Sequence, residues 1–236
     1  MIKVITITAL TLTLAAAVFA GFGSIVSSFQ LPTGVRMADG LAWDGEYLWV
    51  CHVTGTSFYR VTTAGSLVSS FLIHGGSGYF NFEGATFDGK YLWCSDHYYS
   101  PIYRATLIKF TTAGSRVGSI GAMVDSFSSA GLTYENGYLW CERFKYTTTG
   151  SFVTSFPAPF SLFDLAWDGH YLWSGNKQLT TTGSFVASFS LPSGAGGTTF
   201  DGEYLWVVRY TWVYKVDIGV TDLNPGSFGK IKGLYR

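Results

Sequence analysis

Gly40-Leu41-Ala42-Trp43-Asp44-Gly45-Glu46-Tyr47-Leu48-Trp49-Val50 holds a phrase that returns along the chain. Its core is an aromatic residue, Asp-Gly or a near relative, one variable residue, then Tyr-Leu-Trp. Further copies are Phe87-Asp88-Gly89-Lys90-Tyr91-Leu92-Trp93, Tyr134-Glu135-Asn136-Gly137-Tyr138-Leu139-Trp140, Trp167-Asp168-Gly169-His170-Tyr171-Leu172-Trp173 and Phe200-Asp201-Gly202-Glu203-Tyr204-Leu205-Trp206. From Asp44 onward the steps are 44, 47, 33 and 33 residues. A period of this size, built from short β-type segments, marks a blade-by-blade β architecture.

Each repeat reads as four strands. Leu165-Ala166-Trp167 and Tyr171-Leu172-Trp173 flank Asp168-Gly169, a strong hairpin signal because both turn residues tolerate positive φ. A third strand lies around Gln178 to Thr180, and Ser184-Phe185-Val186-Ala187-Ser188-Phe189 forms a half-exposed fourth. That outer segment recurs at Ser66–Phe71, Ser115–Ile120 and Ser151–Phe156, and also before the first repeat at Ser24-Ile25-Val26-Ser27-Ser28-Phe29. The last repeat has a third strand, Trp212 to Val216, and no fourth. The expected fold is therefore all-β, a five-bladed β-propeller of four-stranded blades over residues 21–217. The N-terminal outer strand closes it, in cis or from a neighbouring subunit. Tyr47 and its equivalents share a strand face with Trp49 and its equivalents, and Leu48 and its equivalents face the other way. Both faces are apolar, so each blade must be sandwiched between neighbours.

These repeats, with Phe58-Tyr59-Arg60-Val61 following the first, resemble those of bacterial secreted propellers of the NHL and glutaminyl-cyclotransferase-like kind. The resemblance spans 22 to about 217 and implies the Gly-Leu-Ala strand innermost and the Ser-x-Val-x-Ser-Phe strand outermost. It concerns fold, since propellers host many chemistries, and no catalytic motif carries over.

The 236 residues hold 15 basic and 15 acidic side chains, and 13% are charged, about half the ~25% usual for soluble domains. Nucleic acid is excluded as a partner, because phosphate binding needs a clustered positive excess. Zero net charge gives little protection against self-association. Residues 1–20, with Lys3 before an apolar run ending Val18-Phe19-Ala20, read as a secretory signal cut before Gly21, with no membrane span afterwards. The expected location is secreted, extracellular or at the cell surface. Residues 218–236 lie outside the repeat; Phe228, Ile231, Leu234 and Tyr235 alternate as in an extra strand or an assembly segment. Cys51, Cys94 and Cys141 read as buried small hydrophobes, with one disulfide and a leftover thiol as the alternative.

The recurring Asp44, Asp88, Asp168 and Asp201 read as turn residues and not as a cation-binding ring. Asp39, Glu83 and Asp164 each start an inner strand and are the candidate channel-rim acids, with Ala130 and Gly196 in the other blades. No metal or cofactor is expected, because His52, His74, His97 and His170 lack ligand spacing. Departures from the repeat carry the candidate ligand loops: Tyr79, Asn81, Asp96, His97, Tyr98 and Tyr99. The third residue after each repeat Trp is polar, namely His52, Asp96, Arg143, Asn176 and Arg209.

The sequence leads to a non-enzymatic extracellular structural or protein-interaction module. Its expected partner is itself or another surface protein, and its expected form a polymer or filament built by strand exchange. Ser24, Ile25, Val26, Ser27, Ser28 and Phe29 would supply the exchanged strand. One alternative is a lectin-like or peptide-binding propeller that takes a glycan or peptide on the loops of blades 2 and 3. The other is a propeller enzyme of cyclotransferase or lyase type using the rim acids.

Overall fold

The computed structural model describes residues 21–35, 38–52, 57–73, 81–97, 104–124, 130–192 and 195–219. Among them the chain is all-β, with strands in five four-stranded antiparallel sheets. β1 (Ser24–Gln30) is followed by blade 1: β2 (Ala38–Trp43), β3 (Leu48–His52), β4 (Ser57–Val61) and β5 (Leu67–Leu72). Blade 2 comprises β6 (Asn81–Phe87), β7 (Leu92–His97), β8 (Arg104–Phe110) and β9 (Arg116–Met123). Blade 3 comprises β10 (Leu132–Glu135), β11 (Tyr138–Cys141), β12 (Phe144–Thr147) and β13 (Phe152–Ser155). Blade 4 comprises β14 (Leu165–Trp167), β15 (Leu172–Ser174), β16 (Lys177–Leu179) and β17 (Phe185–Ser188). Blade 5 takes β18 (Thr198–Phe200), β19 (Leu205–Arg209) and β20 (Trp212–Asp217), then β1 as its outer strand.

β1 runs antiparallel to β20 of its own chain, from Ser24 opposite Asp217 to Gln30 opposite Trp212. The ring closes in cis. Its inner strands neighbour one another in a circle, β2, β6, β10, β14, β18 and back to β2.

Five apolar clusters fill the gaps between blades, and each holds one repeat Trp and the repeat Leu of the next blade. The pairs are Trp49 with Leu92, Trp93 with Leu139, Trp140 with Leu172, Trp173 with Leu205, and Trp206 with Leu48. All five indoles are buried, so each N–H needs an acceptor or costs free energy. Asp44, Asp88, Asp168 and Asp201 supply it at 2.7 Å, and Glu135 at 2.5 Å. The other oxygen of each Asp accepts the two backbone N–H groups that follow the Gly, as with Glu46 and Tyr47 on Asp44. The recurring acids are turn clamps. The turns also differ from expectation: after Asp44, Asp88, Asp168 and Asp201 only the Gly has positive φ, because the side chain holds the Asp in ordinary backbone geometry. Only Asn136-Gly137 is the two-residue turn with both φ positive.

The repeat tyrosines share the Trp face but are not buried glue. Most are half-buried, Tyr138 is exposed, and all but Tyr171 have a cation from the third strand over the ring. Arg60 lies 3.8 Å over the Tyr47 ring, Lys145 4.6 Å over Tyr138 and Lys215 3.9 Å over Tyr204.

Asp164 occupies the centre of the ring. Counting three residues back from each repeat aromatic gives Gly40, Gly84, Gly131, Asp164 and Gly197. The glycines let the inner strands converge: a methyl group on Gly131 would lie 1.9 Å from the Phe163 carbonyl oxygen. Into that space the fully buried Asp164 carboxylate projects. Its Oδ1 accepts the N–H of Leu132 (3.1 Å) and Leu165 (3.0 Å), and its Oδ2 those of Leu41 and Thr198 (both 3.1 Å). One side chain thus joins blades 1, 3, 4 and 5. Blade 2 differs: Gly84 N–H donates to Ser95 Oγ, which donates to the Ala130 carbonyl. Burial pushes the Asp164 pKa up, and the four N–H bonds, made to the ionised form, oppose that push. Two donors on each oxygen leave no lone pair for a proton, so the ionised form fits this site.

Replacing Asp164 with Ala orphans four buried N–H groups. We expect a loss of about 3 kcal/mol or more, read as a fall in Tm of about 10 °C; a change under 1 kcal/mol would mean the hub is dispensable. Deleting residues 21–30 strips blade 5 of its outer strand, and the expected outcome in thermal unfolding is loss of the cooperative transition.

Candidate functional site

The residue before each channel position marks the mouth of the ring: Asp39, Glu83, Ala130, Phe163 and Gly196. The sequence grouping of Asp39, Glu83 and Asp164 as three rim acids is therefore corrected. Asp164 stands one residue further in, and strand alternation sends its side chain into the channel. The blade 4 mouth residue is Phe163.

Asp39 and Glu83 sit on irregularities of their strands. The β2–β3 register shifts between Ala38 and Gly40, and the β6–β7 register between Phe82 and Ala85. Bulges re-aim side chains and are frequent beside active sites. In blades 1 and 2 the second and third strands are separated by four and six residues, whereas blades 3, 4 and 5 turn back with two residues: Glu142-Arg143, Gly175-Asn176 and Tyr210-Thr211. The opposite end repeats the same clamped turn.

The acids influence each other. Burial pushes the Glu83 pKa up to about 7, the Asp39 charge adds to the rise, and a hydrogen bond from the Ala130 N–H opposes it. Its Oε2 is buried with no hydrogen-bond partner. Burial raises Asp39 as well, and the Arg209 guanidinium lowers it. Gly196 leaves room for both side chains: a methyl group there would lie 3.3 Å from Asp39 Oδ1 and 3.5 Å from Arg209 Cδ. Arg209 also stacks 4.4 Å over the Tyr210 ring and donates to its hydroxyl at 3.3 Å. The mouth thus offers a proton-exchanging carboxyl, a second carboxyl and a guanidinium. No group of three or more metal-ligating side chains occurs among the described residues.

Other sequence candidates are placed elsewhere. Asp96 and His97 end β7 and are not loop residues; Asn81 pairs with His97 and Phe82 with Asp96 at the start of β6. Tyr79, Tyr98, Tyr99, His74, Phe228, Ile231, Leu234 and Tyr235 lie outside the described residues. Arg143 and Asn176 bond the carbonyls of Phe156 and Phe189, tying down outer-strand ends. Ser24 to Phe29 lie in β1, spent on closing the ring. Cys51, Cys94 and Cys141 are free and buried, and burial pushes each thiol well up, away from reactive thiolate. Sequence reasoning missed Arg209 as the partner of Asp39, and the mouth position of Phe163. Aligning every copy on its repeat aromatic would have found the second.

No family model matches the chain, and no curated protein matches it. Among solved structures it is similar to a glutaminyl cyclase of Myxococcus xanthus at 14% identity and TM-score 0.63, over 83% of this chain and 95% of that one. It is also similar to a virginiamycin B lyase of Staphylococcus aureus (18%, TM-score 0.45, 79% and 68% covered). A third is a gluconolactonase of Xanthomonas campestris (13%, TM-score 0.49, 80% and 89% covered). At these identities the likeness concerns the fold, and it bears out the propeller resemblance. It corrects one expectation. A scaffold of this build, matched over nearly all of the cyclase, carries an enzyme there, so the expectation of a non-enzymatic chain is withdrawn.

Glu83 sets a pH dependence of stability. Its folded pKa of about 7 exceeds the ordinary value of 4.5, so the folded state holds more protons between those limits. Stability from this group is fully present below the lower value and falls as pH rises towards the upper. Glu83→Gln should flatten the decline between pH 4.5 and 7 in chemical denaturation. An unchanged slope would assign the titration to another group.

Proposed function

We propose that this propeller is an acid–base enzyme whose reacting centre is the mouth over blades 1 and 2. The observation that carries the reading is the Glu83 carboxyl, held on a bulge, with one oxygen buried and unpartnered and a pKa of about 7. Such a group exchanges its proton at neutral pH, as a general acid or base must. The unpaired oxygen suits a donor that a substrate would bring. Asp39, raised by burial and drawn back by the Arg209 charge, adds its own charge to the forces that keep the Glu83 proton in place. Support also comes from the glutaminyl cyclase scaffold, which makes glutaminyl compounds the first substrates to try. Turnover would be followed against pH on those compounds and on a panel of lyase and hydrolase substrates. We expect a rate profile with an inflection near 7, and a fall of about 100-fold or more in Glu83→Gln that stays folded. Full activity in that variant would refute the reading.

A second reading, self-assembly outside the cell, draws on the outer strands. Each exposes apolar residues around the circumference, including Ile25 and Val26 on β1, Leu67 and Val68 on β5, Phe152 and Val153 on β13, and Phe185 and Val186 on β17. The register shift at this point of each outer strand, as between Ile25 and Ser27, bends the edge and blunts strand addition. With β1 paired in cis, a second copy would meet the apolar face and not exchange a strand. Light scattering should then show oligomers that Val26→Lys and Val186→Lys dissolve; a monomer at all concentrations removes this reading.

A further inference from the structure

We infer that the mouth binds a neutral sugar ring, held between Phe163 and Tyr210 beside the Asp39 and Glu83 carboxyls. The inference rests on the acid–base reading of the same site and adds its substrate class.

Phe163 stands at the mouth position of blade 4, where blades 1 and 2 have the two acids, and is 45% exposed. A large apolar ring left open at the rim that also carries two half-buried carboxyls is not explained by packing, because the adjoining apolar residues Leu162 and Leu165 are buried. Its backbone is fixed, with its N–H donated to Ser174 Oγ at 2.9 Å.

Tyr210 is 53% exposed and occupies the two-residue turn between Arg209 and Trp212 with φ 55. That conformation is unfavourable for an aromatic residue and persists only where surrounding bonds enforce it. They do: the Tyr210 carbonyl accepts the Ala38 N–H at 3.0 Å, which anchors the turn one residue from Asp39. The Arg209 guanidinium stacks on the ring, keeping its plane fixed. Trp212, 42% exposed, follows on the same hairpin.

Rigid aromatic faces beside a few convergent polar groups form a ligand site with directional contacts. The apolar C–H face of a sugar ring stacks on such rings, while its hydroxyls both donate and accept. The mouth matches both demands: Asp39 accepts, Arg209 donates, and Glu83 does either, being half protonated near neutrality. Two carboxyls against one guanidinium disfavour an anionic ligand.

The test is saturation-transfer NMR and calorimetry of the intact protein with cellotriose, xylotriose, maltotriose and chitotriose, and trigalacturonate as the anionic control. At least one neutral trisaccharide should bind with a Kd of about 1 mM or tighter. Phe163→Ala and Tyr210→Ala should each weaken it about tenfold without changing the circular dichroism spectrum. Should either fail to fold, Phe163→Leu and Tyr210→Leu take their place. No binding by any neutral sugar, preference for trigalacturonate, or affinity indifferent to both substitutions would overturn the inference. Those outcomes leave the Glu83 titration untouched, so failure of the sugar class is separable from failure of the acid–base reading.

Discussion

Four backbone N–H groups from four blades end on the two oxygens of one buried carboxylate, Asp164. A ring of five sheets must either leave a hole at its axis or fill it. Here glycines draw the inner strands together, and a single acid satisfies the N–H groups that convergence strips of water. The arrangement is asymmetric by necessity, since one carboxylate has four good acceptor positions and there are five blades. The blade left out, blade 2, uses Ser95 instead, and it is the blade that carries Glu83.

That hub divides the molecule into two ends with different tasks. At one end the repeat acid holds its Trp in every blade and, in blades 1, 2, 4 and 5, also clamps the turn, so burial of the indole and formation of the hairpin support each other. At the other end the inner strands of blades 1 and 2 extend past the hub with a bulge each, and turn Asp39 and Glu83 into the mouth. Closing the channel beneath them removes water from one side, which raises the Glu83 pKa and leaves its oxygen unpaired. The scaffold thereby makes the chemistry available: the same convergence that stabilises the ring desolvates the acids at its edge.

Much of the fold was legible because it repeats. Tyr-Leu-Trp fixed the second strand of each blade, the Ser-x-Val-x-Ser segment the fourth, and the stray copy at residues 24–29 the closure. Trp49 and its equivalents read as core and are core. The tyrosines did not follow, because whether a ring beyond the Trp is buried depends on a cation that arrives from the third strand, as Arg60 does over Tyr47. The site was less legible. Asp164 read as a rim acid because no local signal marks where its strand starts, and one residue of register exchanges mouth for channel. The bulges at Asp39 and Glu83 leave no local sequence signal, and Arg209 reaches Asp39 only through ring closure, across 170 residues of chain.

Carbon-13 NMR titration of the side-chain carboxyls addresses hub and site in one experiment. The account requires Glu83 to titrate near 7, while Asp164 keeps a carboxylate shift for as long as the protein is folded. Glu83 titrating in the ordinary carboxyl range, or Asp164 taking a proton while the ring stays intact, would contradict it.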